Sequence, residues 1–136
     1  MALAPWNVLA SGKIRSDAEE ERRRQTGEAG RQMFGPDWER TPEQRKVCLA
    51  LEQVAKEVGA ENITSVAIAY VMQKTPYVFP IIGGRKVEHL KANIQALDIS
   101  LTPKQIEYLE SIVPFNKGFP YSHFVSPIMF PSDQGN

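Results

Sequence analysis

Gly83, Gly84, Arg85, His89 and Asn93 are the residues whose types and spacing most directly suggest chemistry. A short apolar run, residues 78–82 (VFPII), enters the Gly83-Gly84 pair, and a helical pattern follows, with Val87, Leu90, Ile94 and Leu97 at i, i+3, i+7 and i+10. This reads as strand, tight turn, helix. The first turn of a helix leaves backbone N–H groups unpaired and carries the positive end of the helix dipole, which suits an anion. Gly84 has no Cβ, so a ligand could approach the backbone closely there. Arg85 stands just inside the helix start, and its planar fork suits a phosphate. Arg85, His89 and Asn93 are four apart and stack in one row, away from the apolar stripe. An anion donor, a flat ring and an amide in one row could read a phosphorylated nucleoside. The same residues also describe an ordinary βα turn followed by an amphipathic helix with a polar outer face. Residue types alone leave both readings open.

The elements that must position this row are legible around it. Residues 1–4 read as the end of a buried strand, closed by Pro5-Trp6-Asn7, with a small-residue loop over 9–13. Residues 15–45 are the most polar stretch. Ser16 and Glu19 are placed for a capping box, and EEERRR over 19–24 sets acids ahead of bases for i,i+4 pairing. Glycines and Gly35-Pro36 break this stretch into a long loop. Thr41-Pro42 opens a helix whose stripe is Val47, Leu51, Val54 and Val58, and Gly59 ends it. Residues 66–74 (VAIAYVMQK) read as a helix apolar nearly all round, which must be sandwiched within protein. Thr102-Pro103 with Gln105 starts a last helix, its apolar face Ile106, Leu109, Ile112 and Val113, stopped by Pro114. An aromatic, proline-rich tail over 115–130 is expected to drape over a hydrophobic surface.

Composition excludes several function classes. The chain has 136 residues, 42% hydrophobic and 24% charged, with zero net charge, so no global field favours nucleic acid or a membrane surface. The arginines at 22–24 are interleaved with acids, which argues against nucleic acid. The second of the two helices flanking Gly59 is too apolar for a DNA groove. No stretch is suited to cross a membrane. The single cysteine, Cys48, excludes an internal disulfide and fits a reducing compartment, so a cytoplasmic location is expected. Cys48 lies in a helical stripe and reads as a buried structural thiol. His123 has no partner at metal spacing, and no metal site is expected.

The order is strand, loop, helix, helix, strand, helix, helix, tail: an α/β pattern with parallel crossovers. Two strands cannot close a barrel or form an independent sheet. Either further strands come from a partner polypeptide, or the chain is a piece of something larger.

The stretch VFPIIGGRKVEHLKANIQAL with LTPKQIEYLESIVPF, together with ALAPWNVLASGK, resembles the aldo-keto reductases, and within them the fungal aryl-alcohol dehydrogenase and norsolorinic acid reductase-like group. The likeness covers residues 1–124, and 125–136 form a divergent tail. It implies the C-terminal part of a (β/α)8 TIM barrel, with about two strands plus helices and the barrel incomplete. It also implies NADP(H) bound at the C-terminal ends of the strands. The loop carrying Pro5, Trp6, Leu9, Ser11 and Lys13 would cover the pyrophosphate, with Ala4 replacing a commoner Ser. Gly83, Gly84, Arg85, His89 and Asn93 would hold the 2′-phosphate and adenine. The family reduces carbonyls through a tetrad of Tyr, Lys, Asp and His contributed by early strands. Tyr70, Tyr77, Tyr108 and Tyr121 do not fall in that pattern, so no catalytic residue is expected here. The implied function is the NADP(H)-binding portion of an oxidoreductase. The alternatives are a non-catalytic nucleotide-binding or interaction module, or a truncated gene product without separate activity.

Overall fold

The computed structural model describes residues 1–29, 38–84 and 86–114. Arg85 and the aromatic tail, with His123 and Tyr121, lie outside the described residues. Five α-helices follow one another: α1 (Asp17–Thr26), α2 (Pro42–Val58), α3 (Ile63–Gln73), α4 (Val87–Ile94) and α5 (Pro103–Ser111). Short 3-10 turns lie at Ala10–Gly12 and Gln95–Asp98.

Local signals set most helix ends. Thr41 accepts from the Gln44 N–H while the Gln44 side chain accepts from the Thr41 N–H, and Thr102 with Gln105 does the same. Gly59 closes α2 at φ 69, a left-handed position that glycine adopts without a Cβ clash. Ser16 caps α1 by accepting from the Glu19 N–H at 3.2 Å. The reciprocal half of that expected box is replaced, because the Glu19 carboxylate is held by Arg22 and Arg23. α3 begins at Ile63, one turn earlier than the expected 66, and ends at Gln73.

The core gathers Leu51, Val54 and Ala55 of α2 with Val66, Ala67, Ile68 and Ala69 of α3, and Ala96, Ile99 and Leu101 close it. α3 is sandwiched as its composition demands, with α2 packing on it along with α4 and the 95–98 turn. Gln73 ties the segment after α4 to α3, donating to the Ile99 carbonyl at 2.7 Å and accepting from the Leu101 N–H at 2.8 Å. Cys48 is fully buried, its thiol donating to the Lys13 carbonyl.

The two expected strands are present only in reduced form. Residues 3–5 and 77–81 run parallel, with Leu3 N–H to Tyr77 O (2.9 Å), Phe79 N–H to Leu3 O (2.8 Å) and Ile81 N–H to Pro5 O (2.8 Å). Among the described residues this amounts to one parallel bridge, Leu3 to Val78, and no full strand. Two prolines explain part of the shortfall. Pro5 cannot donate to the ladder, and Pro80 lacks a donor on the opposite edge.

The stripe of α4 is turned the other way from a core stripe. Val87, Leu90, Ile94 and Leu97 are exposed, while Asn93 is buried at 5% and Ala96 at 2%. Tyr77, Phe79 and Ile81 of the strand segment are exposed with them, and Val78 is buried. Periodicity located an apolar face, but among the described residues that face has no cover.

A charged cluster ties the long excursion to α2. Arg15 donates from Nε to Glu20 at 2.9 Å and also to the carbonyls of Gly12 and Trp38, with its guanidinium over the Trp38 ring. Arg40 donates to Glu20 (2.7 Å), to Asp17 (2.6 Å) and to the Arg15 carbonyl. Arg45 of α2 grips both oxygens of Asp17. Arg15, Glu20 and the Arg40 side chain are buried, so removing one partner strands the others, which costs about 3–5 kcal/mol in such settings.

These contacts lead to an expectation of acid lability. Hydrogen bonds from Arg45 and then Arg40 hold the Asp17 carboxyl down at about 2. The Arg22 hydrogen bond holds Glu19 at about 2 as well. For Glu20, burial alone would raise the pKa, but Arg40 and Arg15 outweigh it and the net shift is downward. Carboxyls depressed in the folded state stabilise it fully above their ordinary values of 3.8 and 4.5 and lose that contribution as pH falls toward 2. The urea midpoint, followed by far-UV circular dichroism, is expected to hold from neutrality to about pH 5 and then fall steeply. A midpoint that stays flat through pH 3 would show that the cluster does not support the fold.

Candidate functional site

A groove of about 1610 Å³ is floored by the α2–α3 junction and flanked by three further stretches. The first is the loop that carries Trp6, Leu9 and Ser11, the second is α1 with Glu19, Arg22 and Arg23, and the third is the turn and helix with Gly83, Gly84, His89 and Asn93. The space exceeds the ~300–1000 Å³ of ordinary ligand clefts, and the groove opens to solvent. Pro5 and Lys13 are not among its described walls, and Arg85 lies outside the described residues.

The loop wall is wound tightly. Asn7, Ala10, Ser11 and Gly12 all have positive φ, a strained choice for the three that are not glycine. Asn7 staples the turn, its Oδ1 accepting from the Ser11 N–H at 2.6 Å and from the Ser11 hydroxyl at 2.9 Å. The N–H groups of Ala10 and Gly12 bond the carbonyls of Asn7 and Leu9. The donors that would meet a pyrophosphate at Ser11 are therefore engaged within the loop, and a ligand must compete with Asn7 for them. Trp6 is 60% exposed and presents a flat apolar ring to the groove.

The turn wall corrects one expectation. A Cβ on Gly84 would sit 2.7 Å from the Cβ of His89 and 3.2 Å from its Nδ1. The absent side chain of Gly84 thus makes room for the first turn of α4 rather than for a ligand. Gly83 has open space where its Cβ would stand, so close approach belongs to Gly83. The helix row is also split. His89 is exposed beside Gly84, whereas Asn93 is buried where α4 meets the core side of the groove.

The α1 wall was not read as part of the site. Arg22 meets both oxygens of Glu19 at 2.8 Å and reaches Glu28 at 3.1 Å, while Arg23 meets Glu19 at 2.8 Å. Spacing in the sequence foretold the i,i+4 pair of Glu19 with Arg23, but neither the contacts of Arg22 nor the surface these pairs would line. Two of the tyrosines have structural partners. Tyr70 donates to Glu110 at 3.0 Å, with burial and that carboxylate raising its pKa, and Tyr108 donates to Gln53 at 2.9 Å. Among the described residues no cluster of His, Cys, Asp or Glu could hold a metal ion, and no helix is long and apolar enough to cross a membrane.

Helices laid against a short parallel pair, with a glycine turn feeding a helix at the rim of a groove, are the elements of a β/α architecture. The chain belongs to the aldo/keto reductase family, whose model matches residues 1–114. It is 66% identical over 125 residues to the aryl-alcohol dehydrogenase [NADP(+)] of Phanerodontia chrysosporium, covering 91% of this chain and 32% of that protein. Two Saccharomyces cerevisiae (strain ATCC 204508 / S288c) proteins are also similar. AAD10 is 54% identical over 120 residues, covering 88% of this chain and 41% of that protein. YFL057C is 53% identical over 120 residues, covering 88% of this chain and 78% of that protein. The chain thus spans about a third of the length of the first relative and over three quarters of the last. The family architecture is a (β/α)8 barrel, and the helices and single parallel bridge described here fit an incomplete one.

The Gly84–His89 interlock is testable by stability. Gly84→Ala is expected to cost about 1–3 kcal/mol in urea unfolding, because the obstructing atom is a Cβ that no rotamer can move. His89→Ala should not relieve that cost, whereas Gly83→Ala should change stability by less than about 1 kcal/mol. Equal effects at the two glycines would refute the interlock.

Proposed function

We propose that this chain is the dinucleotide-holding portion of an NADP(H)-dependent aldo-keto reductase of the aryl-alcohol dehydrogenase kind, and that it contributes no catalytic residue of its own. The observation that carries the reading is the convergence on one groove of the 83–93 turn and helix with the 6–11 loop. These are two stretches, far apart in the chain, that the family resemblance assigns to the same ligand. The groove fits the group, since Gly83 leaves its backbone approachable and Trp6 offers a flat face. Arginines line a further wall. In this reading Arg85 grips the 2′-phosphate and so selects NADP over NAD. His89 stacks near the adenine, Asn93 fixes an edge of the base, and the 5–13 loop, with Pro5, Leu9, Ser11 and Lys13, folds over the pyrophosphate. NADP(H) supplies the hydride chemistry, and the chain's residues bind and orient it.

Titration of NADPH against the wild type and Arg85→Ala tests the assignment. Loss of one charged phosphate contact should cost about 1.5–3 kcal/mol, a roughly 10- to 150-fold rise in Kd. The same preparation given an aromatic aldehyde should oxidise no NADPH above the buffer blank. Equal affinity in the two forms removes the role of Arg85, and turnover by the isolated chain removes the claim that it lacks catalytic residues.

A second reading has its own observation. The exposed stripe of α4 and the exposed Tyr77, Phe79 and Ile81 form apolar surface of the kind that marks an interface. In that reading the chain works as an interaction module, with another polypeptide supplying the missing strands. The purified chain is then expected to bind a hydrophobic dye and to self-associate in sedimentation, both suppressed by the partner. A monodisperse monomer that leaves the dye dark would rule this reading out.

A further inference from the structure

We infer that Glu19 is a built-in competitor for the phosphates of the dinucleotide, holding Arg22 and Arg23 until a ligand anion takes them over. The inference rests on the proposed dinucleotide reading of the groove and adds two phosphate-binding side chains to it, with a device that sets their affinity. Arg22 and Arg23 stand on α1, in the wall of the same groove that Gly83 and His89 line. Their acceptor is a carboxylate gripped as a fork, by Nε and Nη2 of Arg22 at 2.8 Å each, with Nε of Arg23 also at 2.8 Å. Phosphate oxygens satisfy the same fork.

The two faces of α1 differ in how firmly their ions are held. Glu20 is locked, its side chain 9% exposed against Arg15 at 3% and Arg40 at 1%. Glu19 is more accessible, its side chain 32% exposed with that of Arg22 47% and that of Arg23 17% exposed. A competing anion can reach this carboxylate's arginines from the solvent side, as it cannot at Glu20, and must displace a two-pronged grip to do so. The exchange also improves the charge balance, because two guanidinium groups share Glu19 and a phosphate can carry more charge than one carboxylate. Glu28, within reach of Arg22 and in the field of Lys86, stays as the second anchor. Arg22 and Arg23 turn to the phosphate, and Glu19 is released to solvent.

The test is NADPH affinity by fluorescence titration, with helix content checked by circular dichroism. Glu19→Gln keeps the shape and the backbone cap but removes the charge. It is expected to lower Kd about ten-fold, with a steeper salt dependence. Glu19→Ala, which favours the helix, should repeat the gain. The paired substitution Arg22→Ala with Arg23→Ala should raise Kd several-fold and abolish the gain from Glu19→Gln. Binding by Glu19→Gln where the wild type shows none also supports the inference. Wild-type binding that Glu19→Gln leaves unchanged or weakened overturns this inference alone, as does a gain that survives loss of both arginines. No binding in either form overturns it together with the dinucleotide reading.

Discussion

The structure depends on the carboxylate of Glu20, buried between Arg15 and Arg40. Without it, among the described residues, α1 keeps only the more exposed pairs of Asp17 with Arg40 and Arg45 and of Arg24 with Glu39. Glu20 is its one buried residue, and the helix is polar on every side. Apolar packing therefore cannot seat this helix, and charge does so instead. Arg40 reaches the Arg15 carbonyl and Asp17, and Arg45 carries the link into α2. One wall of the groove is thus fastened by ions, while the opposite turn and helix are fastened through Asn93, Ala96 and the Gln73 clamp. A groove with one ionic and one packed wall responds to acid on one side and to core substitutions on the other.

Much of the helical scaffold was legible because its signals are short-range. Thr41-Pro42, Thr102 with Gln105, and Gly59 each act within a turn of chain, and all form as read. The sandwiching of α3 followed from a composition that leaves no polar face. What escaped was long-range. Arg40 meets Glu20 across 20 residues, a separation no local pattern encodes, so residues 15–45 read as a loop with a solvated helix. The stripe of α4 was placed correctly on the helix but not in space, since periodicity finds a face and not its neighbour.

The candidate site shows the same division. Seven of the expected residues line one groove: Trp6, Leu9, Ser11, Gly83, Gly84, His89 and Asn93. Gly84 was misread for a definite reason. A glycine reports that something comes close, without saying whether that something is a ligand or the chain itself, and here it is His89. Ser11 was a sound choice by position, yet its donors are already spent on Asn7. Arg22 and Arg23 were visible as ion-pairing residues, and only the coordinates place them on the groove.

The backbone of 77–81 has one further consequence. Residues 77, 79 and 81 spend their polar groups on the 3–5 segment, so the opposite flank belongs to Val78, Pro80 and Ile82. A newcomer strand zipped along that flank would find amide protons at Val78 and Ile82, but a missing rung at the imino acid between them. That gap makes the seam easier to part than a continuous ladder, so unzipping there would start at its middle rather than at its ends.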